Sequence, residues 1–121
     1  MDGLTQLERE AIEFLLKGDE SWKVLLREQL SVLEVSSRFK DPKGDSVSFK
    51  SPNRGPSVKG QLQKNPISID MMRHREMPEG GTIDLWINND GYIDYMEMTS
   101  YGKELWPRDA VKLSDFEIIK S

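Results

Sequence analysis

Along the first thirty residues the apolar positions fall at helical spacing. Leu4, Leu7, Ala11, Ile12, Phe14 and Leu15 form one stripe, and Glu8, Arg9, Glu10 and Glu13 fill the opposite side. Thr5-Gln6-Leu7-Glu8 has the form of a capping box at the start of this helix, and Lys17 with Gly18 marks its end. Asp19 is placed to cap a second helix, in which Trp22, Leu25, Leu26 and Leu30 make the apolar stripe while Lys23, Arg27, Glu28 and Gln29 face water. The short link between the two predicts an antiparallel pair.

From Val32 the texture changes to one that favours extended chain, through Val35, Ser36, Ser37, Arg38 and Phe39. Asp41-Pro42-Lys43-Gly44-Asp45 reads as a turn, and Ser46 to Lys50 alternates like a half-buried strand, so a hairpin is expected. Ser51 to Ser57, with two prolines and a glycine, is expected to be a surface loop. Pro66 to Asp70 alternates briefly, and the mixed run Met71 to Met77 carries no clear period.

The strongest strand signal lies at Thr82 to Asn88 and Tyr92 to Thr99, which alternate around Asn89-Asp90-Gly91. Two registers are open. A two-residue turn at Asp90-Gly91 puts Asp84 opposite Glu97 and Trp86 opposite Tyr95, with Ile83, Leu85 and Ile87 sharing a face with Met96 and Met98. A three-residue turn with a bulge instead groups Ile83, Leu85 and Ile87 with Ile93, Tyr95 and Glu97. In the first register two carboxylates repel across the strand pair and want a cation or a basic partner; in the second Glu97 points into an apolar layer and needs a partner such as Arg38. Trp106, held extended by Pro107, is expected at a core edge, and Asp115 to Ile119 as a closing edge strand before Lys120 and Ser121 fray.

These elements predict a single α+β domain over residues 1–121: an N-terminal antiparallel helix pair packed on a mostly antiparallel, curved sheet. A chain of 121 residues buries one core without staples, and 36% hydrophobic with 31% charged residues suits a folded, water-soluble domain. The absence of cysteine removes disulfides, thiolate metal sites and cysteine nucleophiles. The single histidine, His74, lies between Arg73 and Arg75, a poor setting for a metal ligand or base, and is expected to be exposed. No run of apolar residues is long enough for a membrane span, and Met1-Asp2-Gly3 opens no signal sequence, so the chain reads as cytoplasmic and without membrane contact.

A net charge of −4 disfavours nucleic acid and favours a basic or neutral partner. No nucleophile elbow, phosphate loop, dinucleotide fingerprint or calcium loop is present, and Asp84 with Glu97 or Asp94 has no shaped sugar cleft to work in. The chain is therefore expected to be a non-enzyme with no cofactor and no metal.

One resemblance bears on function. Gly80-Gly81-Thr82-Ile83, Asp90-Gly91, Met96-Glu97, Tyr101, Glu104 and Trp106-Pro107, preceded by a helical region containing Leu26-Arg27-Glu28-Gln29-Leu30, resemble a family of small uncharacterised bacterial α+β proteins. The likeness spans most of the chain apart from Lys43 to Gln63. Relatives carry an aromatic and glycine-rich strand where this chain has Asp41-Pro42-Lys43-Gly44. Several members look like immunity partners of secreted toxins, which implies an interaction protein that offers Asp84, Asp94 and Glu97, with Trp86, Tyr95 and Trp106, to a toxin domain or other basic protein. The alternative is a small-ligand domain with an aromatic pocket of Trp86, Tyr95 and Trp106 anchored by Asp84 or Glu97.

Overall fold

The computed structural model describes residues 3–50 and 55–119, so Ser51 to Arg54 of the expected loop and the expected fraying of Lys120 and Ser121 lie outside the described residues. Two helices, α1 (Gln6–Leu15) and α2 (Ser21–Gln29), precede six strands: β1 (Val35–Asp41), β2 (Gly44–Phe49), β3 (Ile67–His74), β4 (Met77–Ile87), β5 (Ile93–Ser100) and β6 (Glu117–Ile118). The strands form one open antiparallel sheet in the order β1-β2-β5-β4-β3-β6. The α+β class expected from the periodicities is the class found.

Helix α1 starts with the capping box that the sequence predicts: Thr5 accepts from the Glu8 N–H, and Glu8 Oε1 accepts from the Thr5 N–H at 2.9 Å. Its stripe of Leu7, Ala11, Ile12 and Leu15 is buried and packs on β3. Glu8, expected on the wet side, is only 1% exposed, because its carboxylate also receives the Arg38 guanidinium from β1, with Nη2 to Oε1 at 2.9 Å. Arg38 is thus the partner of Glu8 and not of Glu97.

Helix α2 is capped by Glu20 without a side-chain bond, so Asp19 does not take the predicted role. Leu26 is fully buried, and so is Gln29, which the stripe had assigned to solvent. The Gln29 amide donates to the carbonyls of Pro56 and Gly91 at 2.8 and 2.9 Å and accepts from the Ile93 N–H at 2.9 Å. It ties the end of α2 to the β4–β5 turn. A buried glutamine with both ends satisfied recovers inside the hydrogen bonds it gives up to water, which is why helical periodicity alone misplaces it.

The sheet is larger than expected on the β3–β4 side. The run Met71 to Met77, without readable period, completes β3 and opens β4, and the pairing shifts register between Asp70 and Met72 and again between Met72 and His74. The first shift leaves Met71 as an extra residue on β3, and the second sets Pro78, Glu79 and Gly80 of β4 against Arg73 alone, so strict alternation is lost although Ile69, Met72 and Met77 are all buried. The His74 side chain is 11% exposed and its ring lies 5.7 Å from that of Phe116, so it is shielded and not exposed as expected.

The inner face of the sheet carries Val47, Phe49, Ile69, Ile83, Leu85, Ile87, Ile93, Met96 and Met98, which join the helix stripes in a single core.

Candidate functional site

The central hairpin resolves the two registers by using one at each end. At its tip Asn88 pairs with Tyr92 and Ile87 with Ile93, the geometry of a three-residue loop at Asn89-Asp90-Gly91. The Asn88 side chain accepts from the N–H groups of Asp90 and Tyr92, and Gly91 has φ +86 with Ser57, Val58 and Lys59 packed where a Cβ would stand. Asp94 is then an extra residue without a partner, and beyond it Tyr95 pairs with Trp86, Met96 with Leu85 and Glu97 with Asp84. One bulge at Asp94 turns Tyr95 and Glu97 outward and keeps Met96 and Met98 in the core.

The outward positions line up in rows, because directly paired residues share a face. One row runs Ser37, Ser48, Tyr95, Trp86; the next runs Phe39, Ser46, Glu97, Asp84, Ser68; a third runs Asp41, Gly44, Thr99, Thr82, Asp70. These positions carry the carboxylates of Asp41, Asp70, Asp84 and Glu97 and no lysine or arginine. On the two central strands Asp84, Trp86, Tyr95 and Glu97 stay half-buried, while the residues between them, Leu85 and Met96, are fully buried. The outer face of the sheet is therefore open where its inner face is closed.

The side chains on this face are ordered by one another. The Trp86 and Tyr95 rings stack with centroids 5.6 Å apart and planes 10° apart. Asp84 Oδ1 accepts from the hydroxyls of Ser68 at 2.5 Å and Thr82 at 3.1 Å. Tyr101 reaches over the end of the sheet to donate to Asp70 at 2.6 Å; burial first, and then that carboxylate, push its phenol up to about 12. Burial also raises the Tyr95 phenol, with the negative field of Glu97, Asp94 and Asp84 adding to it. Glu97 has no hydrogen bond or ion pair among the described residues, and the buried Trp86 indole N–H has no acceptor among them. Chemically the face can stack a flat group and attract positive charge.

Of the residues nominated from sequence, Asp84, Glu97, Trp86 and Tyr95 are brought together here, while Asp94, the unpaired bulge residue, stands outside the rows and acts on Tyr95 through its charge. Trp106 is not among them. It is 3% exposed, with its ring 5.4 Å from that of Phe116 in the core, because its N–H donates to the Pro42 carbonyl and draws the chain back across the inner face. The aromatic pocket expected from Trp86, Tyr95 and Trp106 is accordingly not formed. The larger concavities are one of about 1000 Å³ at the β3 margin of this face, lined by Ser68 and Asp70 together with Trp22, Leu62, Ile67 and Ile119, and one of about 610 Å³ between the start of α1, Arg38, Arg108 and Trp106. Among the described residues no group of histidine and carboxylate side chains could hold a metal ion, and no described helix is long and apolar enough to cross a membrane.

Phe39, Ser46 and Ser48 belong to this face and were not singled out from the sequence. The signal was present in Ser46-Val47-Ser48, where two small polar residues alternate with a core valine. No family model, no curated protein and no solved structure matches the chain.

Proposed function

We propose that this chain is a protein-binding module that docks a basic partner through the open face of its sheet, and that the partner is a toxin domain for which the chain acts as an immunity-type inhibitor. The observation that carries the reading is the charge of that face: Asp41, Asp70, Asp84 and Glu97 at its outward positions, without a lysine or arginine among them. Asp84 and Glu97 stand directly opposite one another on paired strands, an arrangement that repels and is relieved by an incoming cation. The net charge of −4 and the resemblance to toxin-partner proteins support the same reading. A field of one sign raises the rate of encounter with a basic surface, and the Trp86–Tyr95 stack supplies the apolar anchor that makes encounter last.

Co-expression with the product of the adjacent gene tests this. The expected result is relief of that product's toxicity and a one-to-one complex that co-purifies. At low salt its association should slow about tenfold in Asp84→Asn/Glu97→Gln. A neighbouring product that is harmless and forms no complex contradicts the toxin assignment; a complex whose association rate ignores both substitutions contradicts the use of this face.

A further inference from the structure

Phe39 is the most exposed large apolar side chain in the described chain, at 65% of its surface. It stands on the edge strand β1, directly opposite Ser46 of β2, and Ser46 is in turn opposite Glu97 of β5. A large side chain, a small one and a large one in a row across adjacent strands leave a dip over the small one. That dip is a hollow of about 240 Å³ bounded by Phe39, Asp41, Ser46, Glu97 and Thr99. Its outer walls, Phe39 and Glu97, are two strand spacings apart, roughly 9.6 Å, which is the room needed to hold one planar group between two contacts.

The charges around the hollow are unequal in availability. Lys43 borders it, but its ammonium is turned to the carbonyls of Gly102 and Glu104. The Asp45 carboxylate is taken by Arg108 at 2.7 Å, the Asp41 carbonyl accepts from the same guanidinium, and the Asp41 carboxylate accepts from the Lys43 N–H. Glu97 faces the hollow without a described partner. The site thus offers an aromatic face on one side, a carboxylate on the other and a serine floor.

We propose that this hollow receives a single arginine side chain of the partner, with the guanidinium lying against the Phe39 ring and donating to Glu97. The inference rests on the open face being the docking surface and adds which partner residue is read there. Arginine fits better than lysine because its flat, weakly hydrated head stacks on an aromatic ring and presents paired N–H donors to a carboxylate, whereas an ammonium uses the carboxylate alone. An exposed phenylalanine at a sheet edge, otherwise a liability for aggregation, becomes one wall of a recognition site.

The test is a titration of the labelled 121-residue chain, followed by amide and indole resonances, with two capped glycine pentapeptides that carry arginine or lysine at the centre. The arginine peptide should bind about threefold more tightly than the lysine peptide and shift Phe39, Ser46 and Glu97. Phe39→Ala and Phe39→Leu should erase that preference without weakening the lysine peptide, and Glu97→Gln should weaken both. Equal affinity for the two peptides, or a preference that survives Phe39→Ala, overturns the arginine site while the acidic face continues to bind cations. Binding of neither peptide at Asp84, Glu97 or Trp86 overturns the site together with the docking face beneath it.

Discussion

Replacing Gln29 with alanine should lower the stability of the fold by about 3 to 4 kcal/mol, among the largest effects of any single polar substitution in the chain. The side chain is fully buried and its amide serves two carbonyls and one N–H on two separate segments. Without it the Ile93 N–H is left unpaired in the core and the Pro56 carbonyl loses its partner, at about 1 to 3 kcal/mol for each buried group left unsatisfied. The Gly91 carbonyl keeps the Val58 N–H at 3.1 Å, so that part of the turn survives. Gln29→Glu should be no better, since it places a carboxylate oxygen against two carbonyls. Urea unfolding measures the effect, with Gln63→Ala, an exposed glutamine, expected to stay within about 0.5 kcal/mol of the parent. A loss below about 1 kcal/mol in Gln29→Ala would mean that α2 is held by its leucines alone.

Arg38→Met should cost about 3 kcal/mol, at the low end for a broken buried pair because the arginine is 25% exposed. The cost arises on the other partner: Glu8 is 1% exposed and would be left as an uncompensated carboxylate beneath α1. The pairing also favours the charged guanidinium, whose pKa is raised chiefly by its hydrogen bond to Glu8. Arg38→Met/Glu8→Gln should regain part of the loss, since a neutral amide still caps the Thr5 N–H and leaves no buried charge. Equal unfolding midpoints for the double and single variants would place the cost in lost packing and not in charge.

Both positions mark the limit of reading burial from periodicity. The apolar stripes of α1 and α2, except Phe14, which is exposed, and the alternation of β5 were legible because most hydrophobic residues report their face directly. Glu8 and Gln29 were not, because a polar residue whose hydrogen bonds are all met inside is indistinguishable in sequence from one solvated outside. The capping box at Thr5 and Glu8 was visible for the opposite reason: its partners are local, three residues apart.

The hairpin is a subtler case. Its two candidate registers excluded each other only if the ladder was regular, and the bulge at Asp94 lets the loop of one precede the pairing of the other. Asp84, Trp86, Tyr95 and Glu97 could thus be nominated from spacing, whereas Phe39 could not, since its place beside Ser46 depends on the β1–β2 register and on β2 lying next to β5. Trp106 was misassigned to the site because an aromatic before a proline carries no sign of which face of the sheet it returns to.

If the open face is a docking surface, as we propose, Glu97 is kept there for a partner and at a cost to the fold. Thermal unfolding of Glu97→Gln at low salt tests that claim without knowledge of the partner. Opposed to Asp84 and without a described partner of its own, Glu97 should be destabilising, so the variant should melt higher by about 2 °C, the equivalent of roughly 0.5 kcal/mol. A melting temperature lowered by about 4 °C or more would show that Glu97 serves the folded state itself, and would contradict the assignment of this face to docking.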